Sequence, residues 1–196
     1  MGERRPRRTA AAVERAVLDA AFDELRKHGY ARVTFEGVAR RAGTSKPVVY
    51  RRYSTRATLV LAALRAYFTD TAPAPCTGTL RTDLIACLEA AQARAAQVGE
   101  ETYRALLGEA DAELLDALAA LIEGATADLE RDIIAPARAR GELGPNPLPA
   151  DVLALPAIML RDRVLFGRTT GNEAAEIVDR VCLPVFRECS GLRPRP

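Results

Sequence analysis

The stretch AGTSKPVVYRRY, Ala42 to Tyr53, gathers Thr44, Ser45, Lys46, Tyr50, Arg51, Arg52 and Tyr53 around a single proline. These side chains suit anionic oxygens and the edges of bases. A guanidinium takes guanine O6 and N7 together, and a valine or proline touches a thymine methyl. The chemistry they could do is recognition of a DNA duplex, and the plain alternative is a solvated helix face. Covalent chemistry has far less to draw on. His28 is the only histidine, and no G-x-x-x-x-G-K-S/T, G-x-G-x-x-G or G-x-S-x-G run occurs. Cys76, Cys87, Cys182 and Cys189 lack C-x-x-C spacing, so no metal centre is expected. Cys182 and Cys189 fall on an apolar helical stripe, where cysteine acts as a small hydrophobe. No cofactor is called for and no enzyme is expected.

Charge points the same way. Residues 1–56 hold 14 Lys and Arg against 6 Asp and Glu, a surplus of +8, while the other 140 residues carry 14 against 20, or −6. The two recover the whole-chain +2. A basic head on an acidic body suits a polyanionic partner. No run of apolar residues is long enough to cross a membrane. The basic start MGERRPRRTA leads into a charged helix rather than an apolar signal region, so a cytoplasmic protein is expected.

The elements that must position these groups read as helices nearly throughout, and no period-two run reads as a strand. A first helix from Thr9 or Ala10 to His28 buries Val13, Val17, Leu18, Ala21, Phe22 and Leu25, and Gly29 closes it. Thr34 caps a second helix carrying Phe35, Val38, Ala39 and Ala42 on one face. Gly43 supplies the positive φ of a tight turn. Ser45 caps a third, with Pro47 in its first turn. Val49 and Tyr53 then face inward, and Pro47, Val48, Arg51 and Arg52 outward. Helix, short helix, glycine turn, short helix is the helix-turn-helix plan, with the last helix entering the groove. Thr55 caps a longer helix to about Asp70, whose seam is Leu59, Val60, Ala63, Leu64, Tyr67 and Phe68.

The run from Ala12 to Leu59, VLDAAFDELRKHGYARVTFEGVARRAGTSKPVVYRRYSTRATLV in its core, resembles the DNA-binding domain of the TetR family of bacterial transcriptional repressors. The landmarks are Ala20-Ala21, Gly29-Tyr30, Thr34 before Gly37-Val38-Ala39, the Ala42-Gly43-x-Ser45 turn, Val49-Tyr50, an aromatic at Tyr53, a basic residue at Arg56 and an apolar one at Leu59. Departures are Thr44 for an aliphatic residue, Tyr53 for the commoner Phe or Trp, and Arg56 for Lys. The resemblance implies that Thr34, Tyr50 and Arg56 bind phosphates, fixing register. It also implies that Lys46, Pro47, Val48, Arg51 and Arg52 face the major groove, with Thr44 and Ser45 among the DNA-binding residues. Arg4, Arg5, Arg7 and Arg8 are either a minor-groove arm or a basic tail.

On this reading residues 1–9 are a basic flexible arm and 10–56 the DNA-binding domain, with its motif at 34–53. Residues 57–70 are a connecting helix, 71–79 a linker, 80–190 a ligand-binding and dimerisation domain, and 191–196 a tail. The class is all-α, about nine helices. The body's helices are expected at Leu80–Val98, Glu101–Glu109, Ala112–Arg140, Ala150–Arg168 and Asn172–Ser190. The family resemblance implies a bundle around an apolar cavity, a small-molecule effector, and a homodimer held by the last two helices on a palindromic operator. Tyr103, Leu107, Leu118, Leu121, Ile122, Met159, Arg161 and Phe166 are candidate pocket residues, or plain core. Arg161 or Arg163 meets either an anionic ligand or a carboxylate such as Asp162 or Glu109. Ile177, Val178, Val181, Cys182, Val185 and Phe186 form a seam that fits a partner subunit or the protein's own interior. Pro184 should bend that helix. The competing function is a helical adaptor that binds protein instead of DNA.

Overall fold

The computed structural model describes residues 9–70, 77–166 and 171–192. The arginines of the N-terminal arm, most of the 71–79 linker with Cys76, Arg168 and residues 193–196 of the tail lie outside the described residues, as does the side chain of Phe68. No strand occurs among the described residues. Residues divide into two compact units, one comprising Met1–Thr71 and Arg104–Ala117, the other Ala72–Tyr103 and Leu118–Pro196.

In the first unit, α1 (Ala10–His28) begins where the Ala12 N–H donates to Thr9 Oγ1 at 3.2 Å and ends at Gly29, φ +76°. After one turn of 3₁₀ helix at Tyr30–Arg32 comes α2 (Phe35–Ala42), whose Gly37 N–H donates to Thr34 Oγ1 at 3.1 Å. Gly43 is left-handed at φ +65°, ψ +38°, which lets the Thr44 N–H reach back to the Ala39 carbonyl at 3.0 Å. This reversal aims α3 (Lys46–Tyr50) across α2. α4 (Arg56–Asp70) starts with a reciprocal cap: Thr58 N–H donates to Thr55 Oγ1 at 3.1 Å, and Thr55 N–H to Thr58 Oγ1 at 3.2 Å. α1 packs on α2 and α4 through Val17, Ala21, Leu25, Val38, Leu59, Val60 and Leu64, all buried. A fully buried leucine such as Leu59 contributes roughly 1.5–3 kcal/mol by leaving water. Phe22 stacks on Tyr67 with centroids 3.8 Å apart.

The second unit is built on α5 (Leu80–Val98), with α6 (Glu100–Gly108), α7 (112–139), α8 (Ala150–Leu165) and α9 (173–189). α6 and α7 are each shared between the units, since Arg104–Ala117 belongs to the first. Its core joins Leu80, Leu84 and Leu88 of α5 to Ile133 and Ile134 of α7, Leu160 and Val164 of α8, and Ile177, Cys182 and Phe186 of α9. The N-terminus of α5 is pinned by carboxylates. Leu80 N–H donates to Glu142 Oε2 at 2.8 Å, and the buried Asp83 accepts from Thr77 N–H at 2.6 Å and from Arg140 Nη2 at 3.3 Å.

α7 and α9 each contain one π-helical turn, Glu130–Ile134 and Val178–Cys182. Each ends two residues before a proline, Pro136 or Pro184. A proline has no N–H to give the fourth carbonyl behind it, and its ring crowds that carbonyl. Widening the preceding turn relieves both, so Ala135 N–H reaches Glu130 O and Leu183 N–H reaches Val178 O, each five residues back. The bend expected at Pro184 thus takes the form of a π turn.

Candidate nucleic-acid interface

α3 is anchored from below by Val49, which is fully buried, and by the Tyr53 ring just beyond it. Burial raises the pKa of the Tyr53 hydroxyl, keeping it neutral. That leaves the opposite face of a one-turn helix uncovered. Pro47 and Arg51 are exposed and Val48 is half-exposed. Among the described residues Arg51 has no ion-pair partner.

Ser45 occupies the N-cap position in extended conformation, φ −95°, ψ +150°, but its side chain makes no capping bond. The reason is local: Pro47 has no N–H, and the Val48 N–H is already taken by the Ser45 carbonyl at 3.0 Å. The expected cap is therefore a backbone feature, and the exposed hydroxyl is left for an outside acceptor or donor. Thr34 is exposed with its hydroxyl oxygen on Gly37 N–H, and Thr44 is half-buried in the turn.

Tyr50, 49% exposed, lies flat on Phe35, with centroids 4.2 Å apart and planes within 7°. The Lys46 ammonium sits 5.5 Å over the same tyrosine ring and pairs with Glu36. That hydrogen bond holds the Lys46 pKa up and the Glu36 pKa down. Phe35 and Glu36 thus shape this face, although the sequence reading placed Phe35 only in the head's core. Their separation from Tyr50 and Lys46 is 15 and 10 residues, which no helical period reports.

Two arginines expected at the DNA are engaged within the protein. Arg52 does not point away. Its Nη1 pairs with Glu14 Oε2 at 2.7 Å and its Nη2 donates to the Ala10 carbonyl at 3.3 Å, tying the end of the motif to the start of α1. Arg56 pairs with Glu109, donates to the Ala31 carbonyl at 3.3 Å and covers the Tyr30 ring at 4.5 Å. Glu109 also accepts from the Tyr30 hydroxyl at 2.7 Å. Burial, then this bond, lifts Tyr30 to about 12, and the same bond lowers Glu109. Beside them the Ser54 hydroxyl donates to Glu113. Ser54, Glu109 and Glu113 carry no motif signal. Arg41, paired with Glu24 at 2.7 Å, holds α2 to α1.

Residues 17–63 match the family described as bacterial regulatory proteins of the tetR family, and residues 74–181 match the tetracyclin repressor-like C-terminal domain. The chain belongs to the TetR family. An HTH-type transcriptional regulator of Mycobacterium tuberculosis is 31% identical over 184 residues, 91% of this chain and 90% of its own. The DNA-binding transcriptional repressor TetR of Mycobacteroides abscessus is 38% identical over 108 residues, 53% of this chain and 56% of its own. The fatty acid degradation regulator FadR of Bacillus halodurans shares the fold, at a TM-score of 0.52 and 15% identity, covering 96% of this chain and 100% of that one. The protein is a DNA-binding transcriptional regulator. No helix among the described residues is long and apolar enough to cross a membrane.

In the C-terminal part of this TetR-family chain, the seam residues sort by depth. Ile177, Val178, Cys182 and Phe186 are fully buried in the protein's own core, so they do not present a face to a partner. Burial pushes the Cys182 thiol up to about 12. Only Val181 and Val185 are half-exposed. Of the pocket candidates, Tyr103 and Met159 pack against that core, and Leu118, Leu121 and Ile122 are half-buried on α7. Leu107 is exposed and belongs to the first unit, and Arg161 and Phe166 are exposed, so these three leave the set. Arg163 pairs with Glu176 at 3.5 Å, a carboxylate other than the two expected.

Proposed function

We propose that this regulator is a homodimeric repressor that grips a palindromic operator with α3 and releases it when a small molecule binds the C-terminal part. The observation that carries the reading is the uncovered face of α3, where Pro47, Val48 and Arg51 stand on a buried base of Val49 and Tyr53. Arg51 reads a guanine, and Val48 and Pro47 contact thymine methyls. Tyr50, braced by Phe35, and the unused Ser45 hydroxyl take phosphates and fix register.

Two such heads read a twofold site only if the subunits pair by a symmetric face. With the inner seam residues consumed by the core, that face falls to the outward side of the last two helices. Ile158 on α8 and Phe166 just past it are exposed, and on α9 Pro184 is exposed and Val181 and Val185 are half-exposed. Tyr103, Leu118, Leu121, Ile122 and Met159 form the effector wall. An effector that prefers the mis-spaced conformer shifts the population off DNA by no more than its differential affinity.

Selection of bound duplexes from a random pool, with sedimentation of the complex, tests this. The expected result is an inverted repeat bound by two chains. Enrichment of no site, or of a single half-site by one chain, would refute it.

A further inference from the structure

Within the first unit, two carboxylates, Glu109 just after α6 and Glu113 in the first turn of α7, sit on two groups that follow α3. Glu109 holds the Arg56 guanidinium, and Glu113 holds the Ser54 hydroxyl. Arg56 is not well satisfied by this arrangement. Its terminal nitrogens serve Glu109 and the Ala31 carbonyl, but its Nε is buried with no hydrogen-bond partner. A buried donor left unmade costs free energy. An oxyanion approaching along the Nε edge would satisfy that donor and take a terminal N–H as well, the bidentate fork that arginine makes with phosphate.

Tyr30 keeps the acid in place. Its hydroxyl donates to Glu109 Oε2 at 2.7 Å, while its ring underlies the guanidinium at 4.5 Å. The carboxylate is therefore held ready beside the cation. The acidic excess of the body is not spread evenly, since two of its members are docked on the basic head.

We propose that Glu109 and Glu113 form an autoinhibitory latch, occupying Arg56 and Ser54 in the DNA-free protein as surrogates for backbone phosphates that the operator must displace. The latch rests on the DNA-binding reading above and adds a regulatory contact to it. α6 and α7 run on covalently into the second unit, from Glu100 to Gly108 and from Ala112 onward. Rearrangement of those helices would set how hard the two acids hold the head.

The test is a double-mutant cycle on operator affinity, using a duplex selected by the wild-type chain and anisotropy titrations at fixed salt. Glu109→Gln keeps an acceptor for Tyr30 and removes the charge. An ion pair of this exposure changes an equilibrium by about 1.4- to 5-fold, so two heads should bind about 2- to 30-fold tighter. In an Arg56→Ala background the same change should have no effect, which separates the latch from a general loss of negative charge. Glu113→Gln with Ser54→Ala provides a second, independent cycle should Glu109→Gln lower the melting temperature. Wild-type selectivity with unchanged or weaker binding by both acid variants, or a gain that persists without Arg56 and Ser54, would overturn the latch and leave the regulator standing. Failure of wild type and variants alike to prefer any duplex would remove both.

Discussion

Arg51 and Arg52 are adjacent in sequence, yet the structure gives them different work, and substituting each alone should separate DNA recognition from stability. Arg51 is exposed with no ion pair among the described residues, so Arg51→Ala removes nothing that the fold uses. If it reads a base, the loss is about 1–3 kcal/mol per contact, hence about 2–6 kcal/mol on a site read twice. Arg52→Ala removes the 2.7 Å pair with Glu14 and the 3.3 Å bond to the Ala10 carbonyl. With the Arg52 side chain 23% and Glu14 51% exposed, solvent screening keeps that pair within about 0.2–1 kcal/mol. At about 2–4 °C per kcal/mol for a chain of this size, the melting temperature should fall by about 0.4–4 °C. Anisotropy titration of each variant against the selected duplex, beside thermal melts, reads both quantities. The expected pattern is a large affinity loss without a melting shift for Arg51→Ala, and a melting shift with a small affinity loss for Arg52→Ala. The reverse pattern would refute the assignment of the reading face.

Two further outcomes follow from the backbone and from burial. A Cβ on Gly144 would lie 2.1 Å from the Ser190 carbonyl oxygen and 2.5 Å from the Gly191 carbonyl carbon, and backbone atoms cannot swing aside. Gly144→Ala should therefore cost at least the ~1–3 kcal/mol of an overpacked core, and denaturant unfolding measures it. Tyr30 and Tyr103 are both raised to about 12, chiefly by burial. A raised folded pKa contributes stability that is whole below the ordinary value of 10 and drains away as pH climbs toward 12. Unfolding free energies measured at pH 9, 10, 11 and 12 should be level at first and then fall, with phenolate absorbance rising as structure is lost. Level stability through pH 12 would show that these phenols are not buried as described.

Much of the head was legible because its signals are local. Thr34 and Gly43 do what a hydroxyl before a helix and a glycine after one do, through bonds that span three to five residues. What escaped was set by distance along the chain. Glu14 is 38 residues from Arg52, and Glu109 is 53 from Arg56, so neither pairing leaves a periodic trace. The seam of α9 was left open in sequence between a partner subunit and the protein's own interior. Spacing at Ile177, Val178, Cys182 and Phe186 correctly reports an apolar face, but periodicity says only that a face is covered, not by whom. The core of the same chain covers it. Ser45 failed by its neighbour, because a proline two positions on deprives a capping side chain of one donor.

Several cations of residues 1–56 are already engaged by carboxylates of the protein. Arg41 is engaged by Glu24, Lys46 by Glu36, Arg52 by Glu14 and Arg56 by Glu109. The surplus acts as a field that draws the head toward a polyanion, but a field carries no sequence. On the proposed reading, discrimination falls to the few groups at α3 that the fold leaves unengaged, Arg51 above all, with Pro47 and Val48 beside it. A helix of five residues can spare them because Val49 and Tyr53 suffice to seat it. Lengthening α3 or burying more of it would gain stability only by withdrawing the groups proposed to touch DNA. The marginal size of the reading helix is thus a condition of its use.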